Sequence, residues 1–200
     1  MVEIVHEETN EDMMLLTGAE SNDVYRSVFS IFKSRSIWLV TNLFATIVAA
    51  SVVGEFQDII AQLSILAVLM PIVASMGGTT GQQTLAVVVR SLATKELNSR
   101  NALRMIGKEF MVGLCNGLLF AVMIGIAVRI WFPGQEMISY IIALAMLCNL
   151  TVASLAGILI PLTINRLKID PAIASGVFLI ACTDSGGYFI FLGLAKLLLF

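Results

Sequence analysis

The chain has 200 residues, 58% hydrophobic and only 13% charged, with a mean hydropathy of +0.92, whereas roughly a quarter of the residues in a soluble domain carry charge. Lipid is therefore its natural solvent, and a formal charge of −2 is too small for a nucleic-acid or polyanionic partner. The three cysteines, Cys115, Cys148 and Cys182, sit inside apolar segments without CxxC spacing, which argues against a disulfide framework or a zinc site and leaves them as packing residues.

The first segment is acidic. Seven of the fourteen acids (Glu3, Glu7, Glu8, Glu11, Asp12, Glu20, Asp23) precede the first basic residue, Arg26. No basic n-region with a short apolar core and a small-residue cleavage site is present, so no removed leader is expected. Residues 2–16 read as a linker or interfacial helix with an apolar patch at 12–16, and the lone His6 is too weak a metal signal to use. The division expected is an acidic cytoplasmic arm with a connecting helix over 1–35, then a transmembrane domain over 36–200.

Uncharged stretches follow at 36–54, 59–89, 110–128 and 137–165, and a last apolar run at 171–200 is interrupted only by Asp184 and Lys196. Each is long enough to cross a hydrocarbon core of about 30 Å, which takes roughly 20 helical residues. The fold class is thus an all-α integral membrane protein with five transmembrane helices per subunit. Ten of the twelve basic residues fall before the first span, between the second and third, or between the fourth and fifth. Short cytoplasmic loops carry the excess of Lys and Arg, which places the N-terminus in the cytoplasm and the C-terminus outside a cell inner membrane.

The second span contains Pro71 and then Gly77-Gly78-Thr79-Thr80-Gly81-Gln82-Gln83. An interruption of the helix is expected there, buried or lining a hydrated pathway, because lipid cannot satisfy freed backbone groups. No Gly-Lys-Ser/Thr follows, so a nucleotide loop is not indicated. Small residues recur every four positions on the third span (Gly113, Gly117, Ala121, Gly125) and the fourth (Ala145, Asn149, Ala153, Gly157). Such stripes let helix backbones approach in lipid. Asn149-Leu150-Thr151 matches a glycosylation acceptor but lies within a span.

The fifth span opens with Asp170-Pro171, an N-cap followed by proline at the first helical position. Asp184 lies 14 residues on, about 21 Å at 1.5 Å per residue, and is the only acid in any of these five stretches. A carboxylate at mid-bilayer costs about 2.5 to 3.5 kcal/mol on insertion scales, so such groups face a cavity, a partner or an ion. Gly176, Ile180 and Asp184 share one helix face. A hard, hydrated cation such as magnesium suits one carboxylate per chain if two chains pair. A protonated packing residue that merely joins helices is the bland alternative. An intramembrane aspartyl protease is disfavoured by the lack of a second acid at that depth, so no enzymatic activity is expected.

The run PIVASMGGTTGQQT at 71–84, followed by Val89-Arg90-Ser91-Leu92-Ala93, resembles the second-helix signature of the MgtE family of magnesium channels. The segment from Asp170-Pro171-Ala172 through Ala174-Ser175-Gly176, Thr183-Asp184 and FLGLA at 191–195 resembles that family's fifth helix, and Asn116-Gly117 an element of its third. The acidic arm is similar to the helix preceding the family's membrane domain. The resemblance implies a homodimer in lipid with a central pore lined by the second and fifth spans. It places the magnesium aspartate at Asp184 and pore contacts at Gly78, Gln82, Ala86, Gly176 and Ile180, with Mg2+ as the bound and transported ion. Thr79 stands where the family has asparagine, and Gln82 where a shorter polar residue is common. Family members commonly carry cytoplasmic sensor domains ahead of the membrane part, and whether this sequence is a truncation or a naturally minimal member, closure by cytosolic magnesium is expected to be missing unless a separate regulatory chain supplies the sensor. The other reading kept open is a proton- or sodium-coupled secondary transporter of divalent cations.

Overall fold

The computed structural model describes residues 14–16, 25–97 and 101–199. His6 and the acids before Arg26 lie outside the described residues. From residue 25 on, the helices among the described residues are, in order, α1 (Val28–Gly54), α2 (Gln57–Gln62), α3 (Ile65–Ala93), α4 (Ala102–Trp131), α5 (Glu136–Arg166) and α6 (Pro171–Leu199). All but α2 are long and apolar enough to cross a membrane, and among the described residues there is no strand.

Helix ends follow local chemistry. Ser27, in extended backbone, caps α1 by accepting the Ser30 N–H on its hydroxyl, so the helix begins before Lys33 and Arg35 and the division drawn between residues 35 and 36 falls within it. Asp170 accepts the Ala172 N–H at 2.9 Å, the cap expected of an Asp-Pro start. Between α4 and α5 the chain turns at Gly134 (φ +88°), a conformation that L side chains rarely adopt, and Arg129 pairs with Glu136 across this exposed turn at 2.7 Å.

The expected interruption at the glycine-rich run is corrected by the structure. α3 is helical from Ile65 through Ala93, with Pro71 inside it. The second span breaks instead at Leu63 and Ser64, where the Leu63 N–H bonds Ile59 O at 2.9 Å and the Leu66 N–H bonds Leu63 O at 3.0 Å. Backbone partners therefore survive the break. Gly77 and Gly81 serve close approach rather than irregular backbone. A β-carbon at Gly77 would lie 2.5 Å from Asn149 Nδ2, and one at Gly81 3.0 Å from Leu179 Cδ1.

α5 is the most enclosed span and α1 the most exposed. α5 packs against α3, α4 and α6, α3 also packs against α6, and α1 leans mainly on α6. Leu66, Leu69, Ile138, Ile142, Phe191 and Leu192 form the core toward one end, with smaller clusters around Leu85 and Leu179 and around Val88 and Ile158. The stripe on α4 sets its seam with α5, since a β-carbon at Gly117 would lie 2.9 Å from Leu147 O. Outward faces are apolar, as with Leu43, Phe44 and Ile47 on α1 and Leu118, Val122 and Ile126 on α4. That pattern suits lipid rather than water.

Candidate functional site

Along the antiparallel seam of α3 and α6 the residues pair by turns. A β-carbon at Gly78 would lie 4.0 Å from Thr183 Oγ1, which places Gly78 beside the residue preceding Asp184. One turn along, Gly81 meets Leu179. From that level onward, Gln82, Leu85 and Ala86 of α3 and Gly176 and Ile180 of α6 line a cavity of about 240 Å³ with Trp38 of α1 and Leu16. Four of the six residues singled out from the sequence thus surround one cavity, and Gly78 and Asp184 lie a turn beyond it on their own helices.

Asp184 is the fourteenth of the 29 residues of α6. It is half-buried, and makes no hydrogen bond or ion pair with any described residue. Thr183 spends its hydroxyl on the carbonyls of Leu179 and Ile180 at 3.0 and 3.2 Å, leaving the neighbouring carboxylate unengaged. Among the described residues no three His, Cys, Asp or Glu side chains come together. One chain thus offers a single carboxylate at this depth.

α3 carries a second polar feature. Ser75, Thr79, Gln82 and Gln83 are exposed along one side of a helix otherwise dressed for lipid. Thr79 satisfies its own hydroxyl by donating to Ser75 O at 2.9 Å, but the two glutamine amides have no such local outlet. Their exposure marks a side that meets water or protein rather than hydrocarbon.

Two contributions escape sequence reasoning. The patch at 12–16 reads from sequence as part of a linker, yet Leu15 and Leu16 pack on the cluster of Leu85, Val89, Ala172 and Leu179. Leu16 O lies 2.7 Å from the point a Gly176 β-carbon would occupy, so the turn closes one end of the cavity. The second is Glu109, which reads as part of a charged connection but belongs to α4. Its Oε2 accepts the hydroxyl of buried Thr84 at 2.8 Å, tying α4 to α3 a half-turn from Gln82. A threonine two positions from Gln82 was the only available hint. Thr84→Val is expected to lower stability by about 1.5 kcal/mol, the low end for a hydrogen bond to a charged group because Glu109 is partly solvated; denaturant unfolding in detergent measures it.

The family model described as "MgtE: Divalent cation transporter" matches residues 70–194. The chain belongs to the MgtE family. Its match begins within α3 and ends within α6, so the two helices of the seam bound the MgtE region, and all six candidate residues lie inside it. Similar proteins include the "Magnesium transporter MgtE" of Enterococcus faecalis, 33% identical over 197 residues, covering 98% of this chain and 43% of that protein. The proteins of the same name from Bacillus subtilis and Thermus thermophilus are 31% and 27% identical, covering 98% and 100% of this chain and 43% and 44% of their own lengths. The chain therefore spans less than half the length of these MgtE relatives, and it is an integral, multi-pass membrane protein.

Proposed function

We propose that the chain forms the transmembrane part of a magnesium channel, in which two copies enclose a pore lined by α3 and α6 and Asp184 holds a largely hydrated Mg2+. Carrying this reading is the exposed polar side of α3, Ser75, Thr79, Gln82 and Gln83, continuous through Gln82 with a cavity bordered by Ala86, Gly176 and Ile180. Glutamine amides are costly against lipid, and a second copy presenting the same side across a two-fold axis turns that cost into a polar lumen. Two Asp184 carboxylates then face one divalent ion. Magnesium sheds water reluctantly and is held through one or two carboxylates with its inner waters retained, so Gly78, Gln82, Ala86, Gly176 and Ile180 contact the hydrated ion rather than the bare metal. The excess of Lys and Arg in the loops α3–α4 and α5–α6 supports a cytoplasmic position for both, and on that reading Leu16 lies at the cytoplasmic end of the cavity.

Saturable Mg2+ uptake into proteoliposomes under an imposed negative interior potential, with no pH or sodium gradient, is the expected result. Uptake that appears only with a pH or sodium gradient would replace the channel by a coupled transporter.

A further inference from the structure

The geometry points to Asn149 as the residue that holds the two helices of the seam at the spacing the ion site needs, an inference that rests on the pore reading above. Asn149 is on α5, which does not line the seam, and is 1% exposed. Its Nδ2 donates to Val73 O on α3 at 2.7 Å. That carbonyl is the one the helical ladder offers to the Gly77 N–H, so the amide uses its remaining lone pair. It can reach it because Gly77 has no side chain: a β-carbon there would lie 2.5 Å from Nδ2 and 3.1 Å from Cγ and Oδ1. On its other side the same amide meets α6, where a β-carbon at Gly187 would lie 3.2 Å from both Nδ2 and Oδ1.

One buried amide is thus wedged between two glycines on two different helices. Gly77 adjoins Gly78, and Gly187 is one turn from Asp184, so the wedge sits at the depth of the carboxylate but behind it. A buried amide in lipid is costly without its partner, which makes the joint stiff. Stiffness matters because Mg2+ demands near-ideal octahedral geometry, whereas Ca2+ accepts a flexible one. Asn149 touches no ion; it is a positioning residue that keeps the site tight enough to prefer the smaller cation.

Asn149→Ala is expected to leave Mg2+ uptake measurable but lower the preference for Mg2+ over Ca2+ about tenfold, the low end for losing an outer-shell support. Gly77→Ala alone is expected to lose folded protein. Combined with Asn149→Ala it regains thermal stability, since removing the amide clears all three contacting atoms, yet keeps the lowered preference. That separation of stability from selectivity is what simple packing does not predict. Spin labels at Val68→Cys and Leu197→Cys, exposed on α3 and α6, in a background with the three native cysteines replaced by alanine and diluted with unlabelled protein, read the helix spacing without any flux. A distance distribution broadened by Asn149→Ala supports Asn149 as the residue that sets the helix spacing even if the wild type carries no Mg2+, an outcome that would overturn the channel reading and the cation preference with it. An unchanged preference with an unchanged distribution, or a double variant that restores both stability and preference, would overturn the inference.

Discussion

Asp184→Asn is expected to abolish potential-driven Mg2+ uptake, by about 100-fold or more at limiting Mg2+, equivalent to roughly 2.7 kcal/mol of lost cation stabilisation. The amide keeps the shape of the side chain and removes the charge, and two such losses face one ion in a dimer. Stability should stay close to wild type, because Asp184 has no hydrogen-bond or ion-pair partner among the described residues and a half-buried carboxylate gains nothing from being charged without one. If Asp184 merely joined helices, the same substitution would lower stability and weaken assembly while leaving uptake in proportion to folded protein. Uptake by the folded variant at the wild-type rate would remove Asp184 from the site. The paired readings of uptake per folded protein and unfolding temperature decide between these outcomes.

The second large effect concerns packing. Gly157→Ala is expected to cost about 3 kcal/mol or more, at the upper end for overpacking, because the new β-carbon would lie 2.6 Å from the backbone carbonyl of Gly81 and 2.8 Å from Thr84 Cβ. A flexible side chain could swing away; a helix carbonyl cannot. α5 and α3 would have to separate at the level of Gln82, disturbing the Thr84–Glu109 hydrogen bond and the cavity together. Gly107 provides the internal control, as nothing lies within 4 Å of its β-carbon position, and Gly107→Ala should be neutral or stabilising by up to about 1 kcal/mol through helix propensity. Thermal unfolding of the two variants in detergent makes the comparison, and similar behaviour of both would contradict the close contact of α5 with α3 at Gly157.

Much of the architecture is legible along the chain because solvation is a property of one segment at a time. Each of the five spans needs only enough consecutive apolar residues to cross the hydrocarbon. Asp170-Pro171 announces the start of α6 because both residues act on the nearest backbone groups. The depth of Asp184 follows from counting at a fixed rise per residue. Motif resemblance adds the candidates on α3 and α6, and four of them prove to share a cavity.

The glycine-rich run shows where such reading stops. Gly77 to Gln83 looks like broken backbone because glycine weakens a helix and lipid punishes the break, and the same glycines are equally what a helix needs to receive Asn149 and Leu179 at contact distance. The choice between these depends on what stands opposite, on helices some seventy and a hundred residues away. Likewise nothing near Glu109 reveals that its carboxylate meets Thr84, and nothing within 12–16 reveals that Leu16 closes on Gly176. By itself the sequence determined the number of spans, the start of α6 at Asp170-Pro171 and the position of the one acid along its apolar run, all set by local hydropathy, capping chemistry and helical rise. Only the tertiary structure decided that α3 runs unbroken, which helices meet at the candidate site and what lies behind it, because those outcomes depend on pairs of surfaces brought together from distant parts of the chain.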